Sequence, residues 1–111
     1  MRMTTDYSNG VLTVRFCGEL DHYAASDALK NVEAAGEEYM PRQCVLDFSQ
    51  LSFMDSSGIA VILRSERLLQ QNGTHIRITG CNRQVRSVLE LSGLSEMISE
   101  EPIKREECEL I

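Results

Sequence analysis

The sequence predicts a small α/β fold built on a mixed sheet, and three observations carry that reading. Runs rich in Val, Ile, Thr and Phe alternate with runs whose apolar residues recur at helical spacing. Strands separated by helices imply parallel pairing, because a parallel neighbour is reached only through a crossover. An Asn9-Gly10 step between the first two β-type runs marks a hairpin, which adds an antiparallel edge. At 111 residues the chain has the size of one domain with one core, and residues 1–111 are taken as that domain.

The elements follow in order. Two short runs flank Ser8-Asn9-Gly10, the second being Val11 to Cys17, and Gly18-Glu19-Leu20-Asp21 ends it. From Tyr23 to Met40 the period changes: Ala25, Ala28, Leu29, Val32, Gly36 and Tyr39 form one helical stripe, and Pro41 stops it. Cys44 to Phe48 reads as a strand and Ser49 to Asp55 as a loop. A second helix starts near Ser56 and runs to about Gln71, where Asn72-Gly73 supplies a C-terminal stop. His75 to Thr79 is a strand closed by Gly80-Cys81. Asn82 caps a third helix whose Val85, Val88 and Leu89 share a face, and Gly93 ends it. A short strand near Met97-Ile98 and an acidic helix from about Ile103 complete the order β-β-α-β-α-β-α-β-α.

Composition narrows the function. Eleven Lys plus Arg against seventeen Asp plus Glu give a net charge of -6, which argues against binding a nucleic-acid backbone. The longest apolar run, Ile59 to Leu63, is far too short to span a bilayer, and the first residues turn polar at once; the expected location is the cytoplasm, away from membranes. The cysteines at 17, 44, 81 and 108 form no Cys-x-x-Cys pair and have no His at ligand spacing, so no metal site is expected. In a reducing compartment they read as free thiols, with Cys17 and Cys44 acting as small buried hydrophobes. The hydrolase and nucleotide-enzyme motifs are absent, and neither a catalytic residue nor a cofactor is expected.

One segment asks for a function: Leu51 through Gly58, where Asp55, Ser56, Ser57 and Gly58 cluster at a helix start. One reading is capping, with Ser56 or Asp55 accepting hydrogen bonds from the first free N–H groups. The other makes Ser56 a phosphate acceptor or anion site, favoured by those N–H groups and the positive helix end. On a helical wheel Gly58, Val61, Ile62, Ser65, Leu68 and Leu69 face the core. Ile59 and Leu63 then stack on the opposite side, with Arg67 one turn further and Ser56 near the same side. That is the pattern of a docking face that charge could block; the competing reading covers Ile59 and Leu63 with a later helix. Asp21 and His22 are adjacent on a loop, where a capping role for Asp21 outweighs an acid–base pair. His75 is placed at the solvent boundary.

Gly18-Glu19-Leu20-Asp21-His22, Leu51 through Gly58 with Ile59-Ala60-Val61-Ile62-Leu63, and Leu91-Ser92-Gly93-Leu94 together resemble the anti-sigma factor antagonists of the STAS domain family. Through Phe53-Met54-Asp55-Ser56-Ser57-Gly58 they are most similar to its sporulation sigma-F branch. The resemblance implies a STAS-like mixed sheet flanked by helices and a bacterial transcription regulator that is not an enzyme. It further implies that the unphosphorylated chain binds an anti-sigma factor, itself a serine kinase, and so frees the sigma factor. The same resemblance implies that phosphorylation of Ser56 switches binding off and that a serine phosphatase restores it. The expected partner surface is Asp21, His22, Asp55, Ser56, Ser57, Gly58, Ile59, Leu63 and Arg67. Rival readings are another STAS pathway (a stress-response antagonist or a signalling scaffold) and a small enzyme with Ser56 as nucleophile, which lacks a placed general base.

Overall fold

The computed structural model describes residues 1–99. A hairpin opens the chain: β1 (Arg2–Ser8) and β2 (Val11–Leu20) pair antiparallel from Ser8↔Val11 to Arg2↔Cys17. Asn9 (φ 54) and Gly10 (φ 82) both adopt the left-handed backbone that a two-residue turn of this hand requires. α1 (Ala25–Tyr39) ends where Met40 turns left-handed and its N–H reaches the Gly36 carbonyl, just before Pro41. β3 (Gln43–Met54), α2 (Ser56–Gln70), β4 (His75–Thr79) and α3 (Arg83–Leu91) follow. The sheet order is β1-β2-β3-β4, with β2/β3 and β3/β4 parallel, so the predicted mixed sheet with an antiparallel edge is what forms.

The two faces of the sheet differ. Leu12, Val14 and Phe16 of β2, Cys44, Leu46 and Phe48 of β3 and Ile78 of β4 meet Val32 of α1, Val61 and Ile62 of α2, and Val85 and Leu89 of α3 in one core. Phe16 and Phe48 meet edge to face at 5.1 Å. The opposite face is mostly polar, although Val45 is buried on it. Arg15, Asp47 and Thr79 lie in one cross-strand row, and Arg15 Nε donates to the fully buried Asp47 carboxylate at 3.1 Å. Burial would raise the Asp47 pKa, but hydrogen bonds from Ser49, its backbone N–H at 2.9 Å among them, and the Arg15 charge outweigh it and hold the pKa below its ordinary value.

Three expectations are corrected. Ser49–Met54 is strand, not loop, and β2 continues through Leu20 beside it. Register shifts between Arg15 and Cys17 and between Gly18 and Glu19 break the period of two, so Leu51 and Met54 are buried three residues apart and no alternation shows in the sequence. Cys17 is half-buried rather than core, because it sits on the face opposite Phe16. Cys44 is core, and burial pushes its thiol up to about 12. The last strand near Met97-Ile98 reduces to one parallel bridge, Ile78↔Ile98, after a 3₁₀ turn at Ser95–Met97. The acidic helix expected from about Ile103, and Cys108, lie outside the described residues. Cys17 and Cys44 are free thiols.

Candidate functional site

Parallel pairing carries the two sequence segments to one place. Leu20 and Met54 are register partners at the C-terminal ends of β2 and β3, and the Asp55 N–H reaches the Leu20 carbonyl at 3.4 Å. The loop Asp21–Ala24 and the start of α2 therefore stand side by side, although 34 residues separate Asp21 from Asp55.

Each helix start is built on an aspartate. The Asp21 carboxylate accepts the N–H groups of Tyr23 (3.0 Å) and Ala24 (3.1 Å), which sets the turn into α1. Asp55, with extended backbone (φ -114, ψ -168), is the N-cap of α2, and its carboxylate accepts the Ser57 N–H at 2.8 Å. This decides between the two capping residues the sequence left open. Ser56 is the first residue of the helix proper, it is exposed, and among the described residues no hydrogen bond engages its hydroxyl. Ser57 is half-buried.

Gly58 is buried and faces inward; a Cβ there would stand 2.5 Å from Met54 Cγ and 3.2 Å from Leu20 Cδ2. It acts by letting α2 come close to both strand ends rather than by offering a surface. Met54 is fixed from a third direction. The Gln84 amide accepts the Met54 N–H at 3.0 Å and donates to the Met54 carbonyl at 2.9 Å, while Asn82 Nδ2 donates to the carbonyls of Leu51 and Ser52. Asn82 is legible in the sequence as a cap, but no local signal marks these bonds of Gln84 and Asn82 to β3, because their partners lie 30 or 31 residues upstream.

Along α2 the inward stripe falls where the wheel put it for Gly58, Val61, Ile62, Ser65 and Leu69, while Leu68 is only half-buried. The outward stripe differs from expectation at one position. Ile59 is half-buried and packs on the margin of the core, so it does not stack beside Leu63 in solvent. Leu63 is exposed (45%) and Arg67 is exposed. Ala60 and Arg64, which the sequence reading passed over, are exposed as well. Ser56, Ala60, Leu63 and Arg67 thus form one continuous line at i, i+4, i+7 and i+11, and the same spacing counted from Ser56 would have found Ala60. Exposed Phe53 adds an aromatic ring at the end of β3.

His22 is exposed and meets Tyr23 edge to face at 5.5 Å. It lines a groove of about 320 Å³ between the starts of α1 and α2, with Ala25, Leu29, Ser57, Ala60 and Arg64. His22 and Ser57 therefore belong to the same open surface as Arg64, whereas Asp21 and Asp55 hold that surface in place. His75 is exposed at the start of β4, at the opposite end of the parallel strands. Among the described residues no group of His, Cys, Asp and Glu is arranged to hold a metal ion, and no helix is long and apolar enough to cross a membrane. An apolar and basic stripe beginning at a free serine hydroxyl, at the positive end of a helix, is suited to docking and to response to an added anion.

The chain matches the STAS domain over residues 2–109. It is 33% identical over 98 residues to the anti-sigma F factor antagonist of Paenibacillus polymyxa, covering 88% of this chain and 84% of that protein. It is 29% identical over 84 residues to the anti-sigma-B factor antagonist of Listeria monocytogenes, covering 73% and 70%. Among solved structures, the unphosphorylated anti-sigma factor antagonist SpoIIAA is similar with a TM-score of 0.82, at 24% identity over 98% of this chain and 96% of that one. The chain belongs to the STAS domain family.

Proposed function

We propose that this member of the STAS domain family is a cytoplasmic anti-sigma factor antagonist that works by binding. Its unphosphorylated form docks on an anti-sigma factor with serine-kinase activity and so releases the sigma factor. Phosphorylation at Ser56 ends the complex, and a serine phosphatase restores it. The observation that carries the reading is that Asp55, not Ser56, caps α2. The Ser56 hydroxyl is left at the head of the line formed by Ala60, Leu63 and Arg67. A phosphoryl group there adds about −1.5 to −2 charges next to the Asp55 carboxylate. Placed in a surface that loses water on docking, that charge opposes binding without any need to refold the chain.

The named relatives divide between sigma-F and sigma-B antagonists, and the greater identity and coverage of the Paenibacillus protein favours the sigma-F type. The test is a paired capture from lysate of the native host with Ser56→Ala and Ser56→Asp baits, read by mass spectrometry. A kinase-like partner held by the first and lost by the second is expected; equal capture by both baits removes Ser56 from the switch. With that partner purified, Leu63→Asp is expected to weaken binding about tenfold or more with an unchanged circular-dichroism spectrum. Unchanged affinity would take the α2 stripe out of the interface.

A further inference from the structure

We propose that β1 is a self-complementary edge through which two copies of this chain pair antiparallel about a two-fold axis at Thr4. β1 is the end strand of the sheet, paired on one side only among the described residues, and its ladder with β2 runs without a bulge from Ser8 to Arg2. It contains neither Pro nor Lys, the residues that commonly blunt such edges.

The hairpin geometry says which groups are open. Ser8 and Val11 flank a two-residue turn and so form a hydrogen-bonded pair, and the pattern alternates from there. Thr5 and Met3 are consequently in non-hydrogen-bonded pairs with Val14 and Phe16, and their N–H and C=O groups point away from β2. A strand that satisfies them must align these odd-numbered positions with its own.

Charge then selects the occupant and the register. Arg2 and Asp6 are exposed on the face of β1 away from the helices, and neither makes an ion pair within the described residues. Four residues of extended chain put them about 13 Å apart, too far to pair with each other. When a second β1 runs antiparallel with Thr4 opposite Thr4, Arg2 of each copy faces Asp6 of the other, twice by symmetry. Met3 and Thr5 then exchange main-chain hydrogen bonds. On the helix side the same register sets exposed Met1 opposite exposed Tyr7, whose ring is braced by stacking on Tyr39 at 4.7 Å. Moving the register by two residues, the smallest step that keeps the hydrogen bonds, undoes both matches.

The experiment is sedimentation equilibrium of the full chain over a dilution series, with Arg2→Asp, Asp6→Arg and the double reversal. A reversible dimer is expected, weakened about tenfold by either single reversal and returned to within about threefold of the parent by the double. Thr5→Pro, which removes an outward N–H without touching the β1/β2 ladder, is expected to abolish it. A chain that stays monomeric at every concentration, or a dimer indifferent to the reversals, overturns the proposal. The charge cycle decides the matter even where the proline variant fails to fold.

Discussion

The starts of α1 and α2 lie side by side, and both are built on an aspartate at the end of a parallel strand, yet they are held very differently. α1 is entered through a turn that the Asp21 carboxylate secures, and its own N-cap, Ala24, contributes no side-chain bond. The residues between, His22 and Tyr23 (90% exposed), stand out in solvent. α2 is fixed by its Asp55 cap, by Gly58 packed on Leu20 and Met54, and by the Gln84 amide that grips Met54 on both backbone groups. A start held by one carboxylate can adapt to what docks on it. A start held from three sides cannot relax around a new charge, so modification of Ser56 is expected to change the surface and leave the backbone where it was.

A carboxylate outside both starts gives the scale. Asp47→Asn is expected to cost about 2–3 kcal/mol, less than a fully enclosed pair because Arg15 is 40% exposed. Since the Asp47 pKa is lowered in the folded chain, its contribution is present above the unfolded carboxylate pKa of about 3.9 and is lost as pH falls through the folded value. Urea titrations below neutral pH should therefore show a flatter acid limb for the variant than for the parent. Next in size, Gly58→Ala is expected to destabilise by about 2 kcal/mol, because the new methyl meets fully buried Met54 and Leu20. A negligible shift in denaturation midpoint would mean that the start of α2 is looser than its contacts imply.

Asp21→Ala is expected to lose about 1 kcal/mol and to raise amide exchange at Tyr23 and Ala24 while leaving Ser57 protected. Exchange spreading into α2 would erase the distinction between the two starts. Smallest of all, Ser56→Asp should leave stability within about 0.5 kcal/mol, the positive helix end offsetting repulsion from Asp55. Amide chemical shifts that change beyond the first turn of α2 would contradict a start that cannot relax.

The order of elements from β1 to α3 and the inward faces of the helices were legible because their signals are local. The 3.6-residue stripe sorts the inward side of α2, and Asn9-Gly10, Pro41 and Asn82 mark turns, stops and caps within a few residues of themselves. Two things were not legible. The continuation of β2 and β3 was hidden because register shifts remove the alternation by which a strand is recognised, leaving Ser49–Met54 to read as loop. The grip of Gln84 on Met54 and the partial burial of Ile59 depend on what the fold brings alongside, and a helical wheel contains only the helix itself. The same limit explains the choice between Asp55 and Ser56: both residue types cap well, and only the backbone angle where the strand ends assigns the role.

The order of the sheet, β1-β2-β3-β4, is also the order of synthesis. Each strand is laid down next to the one made just before it, with at most one helix in between, so a chain emerging from the ribosome never holds a strand open for an inner neighbour still to be translated. The loops to be closed are short at every step, which favours rapid folding. Apart from the outer edge of β1, the growing sheet presents one unfinished margin at a time, and that margin moves away from β1 as translation proceeds.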